Sequence, residues 1–314
     1  MHVLMLFLDG VGIGKRDSAK NPFVAAQLPT LRWLLGGPLT SLRRRRFSNR
    51  HASLVPLDAT LGVDGLPQSG TGQTALFTGV NAAKIVGRHF GPYPYSTLRP
   101  VIKGQNIFRQ VLEAGLDPYF ANAFPQRFFE YFDGHPTRVT VTTMSYVMAG
   151  LPLLKANDLQ AGRGVSADIT NIGWAELGYP HLGLIEPAEA GRRLAHLAAE
   201  YDFVLYEYWK TDEAGHSLNM QLAVDVLEVC DAMLAGVIEH LDLRKALMIL
   251  VSDHGNIEDM SIKVHTRHPV PALVYGRGHE KTAERLRSSA HPSWGTLMSV
   301  TPTVLEILAH RSAS

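Results

Sequence analysis

The chain has 314 residues, of which 46% are hydrophobic and 19% charged, with 30 Lys and Arg against 29 Asp and Glu. That length and apolar content can bury a large core and exclude a disordered composition, and a net charge of +1 argues against a nucleic-acid coat or a membrane-surface protein. The single cysteine, Cys230, excludes an internal disulfide framework and a thiolate zinc cluster and favours a reducing compartment.

The first ten residues, MHVLMLFLDG, contain an apolar run far too short to span a bilayer, with no basic n-region or small-residue cleavage site. They read as a first core strand over residues 3–8, and a cytoplasmic protein is expected. Further short apolar runs at 52–57, 118–123, 203–206, 247–251 and 272–275 read as strands buried on both faces. Between the first helix and the second strand lie Arg43, Arg44, Arg45 and Arg46, followed by Arg50 and His51. Without interleaved aromatics this run reads as a solvated loop rather than a nucleic-acid contact.

Helical patterns occupy 105–114, 187–200, with Pro187 in its first turn, and 301–309. The longest begins near Met220 and sets Leu222, Val226, Val229, Met233 and Val237 on one apolar stripe, with Cys230 beside it as a buried structural thiol. Strands alternating with helices predict an α/β fold, a mainly parallel sheet sandwiched by helices. Residues 125–185 break the rhythm with aromatics, Gly, Pro and a β-looking RVTVTT at 138–143. They read as an insertion or lid over a core made of residues 1–124 and 186–314.

Three stretches place Asp or His directly after or just beyond apolar runs: FLDG at 7–10, TDEAGH at 211–216 and SDHGN at 252–256. With HTRHPVP from His265 they supply Asp9, Asp212, His216, Asp253, His254 and His265, enough oxygen and nitrogen ligands for two divalent cations. In an open parallel sheet such loops converge outside the carboxyl ends of the strands, and Asp212 and His216, four apart, point together from a helical turn. A lone Asp after a strand is an ordinary turn or cap residue; the repetition of one chemistry at three strand ends is what argues for a metal site. In LPQSGTGQTALFTG, at 66–79, Ser69 stands just before an apolar helical stretch, where free N–H groups and the positive dipole end favour a phosphate. A nearby metal would lower its hydroxyl pKa and make it a nucleophile. Read alone, it is an N-cap serine in a Gly-rich turn.

SDHGN, HTRHPVP and the helix SVTPTVLEILA at 299–309 resemble motifs of the alkaline phosphatase superfamily, most closely the branch of cofactor-independent phosphoglycerate mutases and phosphopentomutases. The resemblance implies an alkaline phosphatase-like fold, with Asp9, Ser69, Asp253 and His254 on one metal and Asp212, His216 and His265 on the other, the metals being manganese or zinc. His268 is an alternative ligand. The Thr78-Gly79 pair follows Ser69 at the interval found in sulfatase-like relatives. GVNAAKIVGRHFG at 79–91 resembles archaeal mutases and marks Lys84 and Arg88 as candidates for contacting substrate phosphate or carboxylate, the alternative being solvated surface charge.

Two departures separate the chain from bacterial mutases of that branch. Gln68-Ser69-Gly70-Thr71-Gly72-Gln73 stands where they carry N-S-E-V-G-H, so the histidine is missing, and the insertion is much shorter than theirs. The expected function is therefore two-metal phosphoryl transfer through a phosphoserine, as a phosphatase or phosphodiesterase acting on a small phosphorylated metabolite, without nucleic-acid or membrane partners. The alternatives are a phosphoglycerate or phosphosugar mutase and a metal-stabilised binding protein without turnover.

Overall fold

The computed structural model describes residues 1–41, 47–288 and 291–309; the run Arg43 to Arg46 lies outside the described residues. In chain order the strands are β1 (His2–Leu8), β2 (Phe47–Ser48), β3 (Ala52–Asp58), β4 (Pro118–Phe120), β5 (Asn122–Phe124), β6 (Leu154–Lys155), β7 (Val165–Ser166), β8 (Phe203–Tyr208), β9 (Ala246–Val251), β10 (Val270–Tyr275), β11 (Arg287–Ser288) and β12 (His291–Thr296). The main sheet runs β11-β12-β3-β10-β9-β1-β8-β4, with β2 paired to β3, and β5, β6 and β7 form a separate small parallel sheet.

β4, β8, β1 and β9 are parallel, whereas β10 runs antiparallel between β9 and β3. The sheet is buried on both faces because successive side chains of a strand point to opposite sides. In β1, Leu4, Leu6 and Leu8 enter one core with Leu194 and Ala198 of the helix Pro187–Glu200 and Leu227 and Leu234 of the helix Met220–His240. Val3, Met5 and Phe7 enter the other with Leu76 and Phe77 of the helix Ser69–Thr78 and Val304 and Ile307 of the helix Val300–Ala309. Cys230 is buried on the first side, and burial pushes its thiol up to about 12. Among the described residues no helix is long and apolar enough to cross a membrane.

Three predicted elements differ. The run at 118–123 is divided into β4 and β5, which belong to different sheets. The helix predicted at 105–114 is the second of two, Arg99–Gln105 and Ile107–Glu113, broken where the Asn106 side chain caps the next helix by accepting from the Arg109 N–H. The β-looking RVTVTT leads into a helix, Val141–Met148. Thr140 caps it, its hydroxyl accepting from the Thr143 N–H at 3.3 Å, and Val141, Met144 and Tyr146 are buried in the second core. The cap and the burial outweigh the β propensity of Val and Thr. Residues 126–134, also without a predicted helix, form another one, Gln126–Gly134.

Candidate metal centre

The register of the parallel strands brings the predicted loops together. Leu8 pairs with Tyr208 and Phe7 with Val251, so Asp9, the helix Lys210–Ser217 and Asp253 emerge at one sheet edge. Because β10 is antiparallel, it starts rather than ends at this edge, and His265, just before it, arrives at the same place. The chain turns sharply after Asp9: Gly10 has φ +70°, and a Cβ there would strike the Asp212 side chain, so this position requires glycine.

Two donor groups result. Asp212, His216 and His265 form one, and Asp9, Asp212 and His254 the other, each within metal-binding reach. Asp212 therefore faces both. In the first, His216 Nε2 lies 3.1 Å from His265 Nε2 and 3.3 Å from Asp212 Oδ2. His216 Nδ1 is 2.8 Å from the Lys263 carbonyl and His265 Nδ1 is 2.7 Å from the Pro67 carbonyl. A carbonyl only accepts, so each ring carries a proton on Nδ1 and turns Nε2 inward, the atom a metal requires. In His216 the hydrogen bond to the Asp212 carboxylate raises the ring pKa and keeps a second proton on Nε2, which a metal would replace.

In the second group His254, fully buried, directs Nε2 at the Ser69 Oγ (2.9 Å), Asp9 Oδ1 (3.3 Å) and Asp253 Oδ2 (3.6 Å). One nitrogen cannot serve three oxygens, and Asp9 Oδ1 and Asp253 Oδ2 are buried without a hydrogen bond. Burial and the neighbouring Asp253 and Asp212 charges raise the Asp9 carboxyl well above its ordinary range, and burial with Asp212 pushes Asp253 up to about 7. Burial also acts on Asp212, but the hydrogen bond from His216, with His254 and Asn256, holds its carboxyl well below the usual range. Burial lowers His254, and burial with the stacked His254 ring, which disfavours a second positive charge beside it, lowers His265 to about 4, so both rings are neutral donors near pH 7. Crowded carboxylates, orphaned buried oxygens and inward lone pairs are a donor set suited to divalent cations.

Ser69 is the first residue of the helix Ser69–Thr78, with Gln68 in the cap position. Its hydroxyl is thus not spent on capping the helix and faces His254 instead. Gln73, which stands at the departure from the mutase motif, is buried and donates through Nε2 to Asp9 Oδ2 at 3.2 Å. Arg88 lies over Phe90, whose carbonyl accepts from the Thr71 N–H two residues from Ser69. Lys84 is exposed on the helix Ala82–Val86. His268 turns to Glu258 at 3.0 Å rather than to the donor groups.

Sequence reading missed the supports. Glu258, buried, accepts from the N–H of Gly12 (2.9 Å) and Asn256 (2.8 Å), the Thr266 hydroxyl and His268 Nδ1 (3.0 Å), tying three ligand-bearing loops together. Asn256 donates to Asp212 Oδ1 at 2.7 Å, and Thr211 donates its hydroxyl to the Asp9 carbonyl. The only signal in the sequence was position, Glu258 lying five residues beyond Asp253. Glu258→Ala is expected to cost about 3 kcal/mol or more, because it strands several buried donors. Glu258→Gln should lose less, and urea unfolding of the metal-free proteins would rank them.

Glu207, at the end of β8, is the other buried acid that sequence reading passed over. One oxygen accepts from the Thr140 hydroxyl at 3.3 Å, and Oε1 has no hydrogen bond. Burial pushes its carboxyl up to about 8. The folded chain then keeps a proton that the unfolded chain releases near pH 4.5, so Glu207 contributes stability that is full below that pH and lost as pH rises to about 8. Glu207→Gln should flatten the fall in urea midpoint between pH 5 and pH 8 relative to the parent chain. An unchanged slope would show that Glu207 is ionised in the folded state.

Residues 188–311 match the Metalloenzyme superfamily model. Of curated relatives, the 2,3-bisphosphoglycerate-independent phosphoglycerate mutase of Chloroflexus aggregans is 34% identical over 117 residues, covering 35% of this chain and 21% of that protein. Mutase 1 of that name from Methanocaldococcus jannaschii is 36% identical over 100 residues, covering 32% and 23%. The match thus spans only about a fifth of these relatives' length. Among solved structures, the PH0037 protein of Pyrococcus horikoshii aligns with TM-score 0.58 at 14% identity, covering 98% of this chain and 96% of that one. The alkaline phosphatase of the Antarctic bacterium TAB5 aligns with TM-score 0.53 at 12% identity, covering 98% and 97%. These two likenesses concern the fold.

Proposed function

We propose that this chain is an alkaline phosphatase-like metalloenzyme of the phosphoglycerate mutase-like branch, a reading supported by its matches, and that it transfers phosphoryl groups through Ser69 with two divalent metal ions, Mn2+ or Zn2+. The observation that carries the reading is the convergence of the Ser69 hydroxyl, two orphaned buried carboxylate oxygens and His254 Nε2 on one point. Asp9, Ser69, Asp253 and His254 would hold one ion, and Asp212, His216 and His265 the other, with Asp212 facing both. When bound, the ions supply positive charge that lowers the serine pKa and offsets charge on the reacting oxygens.

The residues of the chain position the reaction. The helix Ser69–Thr78 presents its first residue, and its dipole, to the phosphoryl group. Gln73 and Asn256 orient Asp9 and Asp212, and Arg88 and Lys84 are candidate contacts for substrate phosphate or carboxylate. Ser69 Oγ bonds to phosphorus as the ester P–O bond breaks, leaving a phosphoserine and the free alcohol. Attack by water then frees the serine, releasing phosphate when the substrate is a monoester and the remaining monoester when it is a diester, the activity of a phosphatase or phosphodiesterase on a small phosphorylated metabolite. Transfer to a second hydroxyl would make a mutase, a reading favoured by the names of the curated relatives. Gln73 in place of the histidine and the short insertion favour the hydrolase. A screen of phosphomonoesters, phosphodiesters and phosphosugars with defined metal, followed by rapid quenching and mass spectrometry of the Ser69 peptide, tests the proposal; absence of any phosphoserine during turnover would refute it.

A further inference from the structure

A cavity of about 680 Å³ opens beside the metal centre, between the small sheet with its neighbouring helices and the core. None of the donor residues lines it, but two parts of its wall adjoin them. Tyr93, in its wall, packs its carbonyl where a Cβ of Gly70 would stand, against the residue after Ser69, and Trp209 and Lys210 lead directly into the helix bearing Asp212 and His216. Its wall is aromatic, with Phe128 and the buried Trp174 facing the cavity along with Tyr93 and the half-exposed Trp209.

Charged side chains interrupt that wall, the acids Glu207, Asp168 and Glu176 and the cations Arg127, Arg138 and Lys210. Glu207 is 3% exposed and brings an oxygen, Oε1, that has no hydrogen bond. Arg127 and Arg138 line the same cavity and form no ion pair among the described residues. A three-carbon phosphate would leave most of this volume and all of the aromatic surface empty.

We propose that the cavity binds the alcohol portion of the substrate, and that this portion carries a flat ring and a second anionic group. This rests on Ser69 as the phosphoryl acceptor. The ring is taken up by the Phe128, Trp174 and Trp209 surfaces, the second anion by the Arg127 and Arg138 guanidinium groups, and a polar edge of the ring by Glu207 Oε1. Arg138 and Phe128 are then specificity residues that sort esters by what hangs from the phosphate.

The test compares 4-carboxyphenyl phosphate with glycerol phosphate on each metal-loaded protein, so that reactivity and metal content cancel in the ratio of their kcat/KM values. Arg138→Ala and Phe128→Ala should each lower that ratio about tenfold relative to wild type. Binding supplies a second readout: 4-carboxyphenyl phosphate should quench the fluorescence of Ser69→Ala protein, two of whose four tryptophans, Trp174 and Trp209, line the cavity, and adding Arg138→Ala should weaken this about tenfold. Equal losses for both esters, or no saturable quenching, would overturn the proposal. Quenching that saturates in a protein whose wild type cleaves neither ester and forms no phosphoserine with any phosphomonoester, phosphodiester or phosphosugar would support the cavity assignment and refute phosphoryl transfer.

Discussion

Ser69→Ala is expected to bind metal almost as the wild type does while losing turnover by at least about 10³-fold. The separation follows from the geometry. Most of the donor atoms belong to Asp9, Asp253, His254, Asp212, His216 and His265, whose placement is set by strand register and by Glu258, Gln73 and Asn256 rather than by the serine. The Ser69 hydroxyl contributes a single contact, 2.9 Å to His254 Nε2. Alanine is a good helix former and Gln68 keeps the cap, so the helix Ser69–Thr78 should persist. Turnover assays with metal content measured on the same samples decide the matter. Unchanged turnover would exclude the covalent route and leave direct attack by water.

Asp212→Ala should do the opposite and remove metal from both groups, because Asp212 alone belongs to each. Metal bound only by the folded chain at a hundred times its dissociation constant adds about 2.7 kcal/mol per site to stability. The wild type should therefore melt higher with Mn2+ or Zn2+ and lose both the shift and its activity on chelation, whereas the variant should show little shift at the same concentration. Removing the Asp212 charge also relieves Asp9 and Asp253, both of which it raises, so any loss of metal-free stability should be smaller than the lost metal-dependent shift. Elemental analysis and melting with and without metal measure both effects. A variant that kept the full shift would show that the two groups do not share this carboxylate.

Most of the core strands and the long helices were legible in the sequence because burial on both faces leaves near-continuous apolar runs, and helices on those faces repeat every three to four residues. The convergence of the candidate ligands was legible for a related reason: Asp9 directly follows such a run and Asp253 lies just beyond another, and Asp212 and His216 share one helical face, so residue type and spacing already gather them at strand ends. RVTVTT misled because its local propensity is β, while its helix depends on a cap at Thr140 and a core supplied by distant residues. Only the tertiary structure decided that β10 runs antiparallel and so delivers His265 to the ligand edge, since an apolar run reads alike in either direction. It also decided that Asp212 faces both donor groups and that Glu258 ties their loops together, because these depend on distances between segments far apart in the chain, which no local pattern encodes.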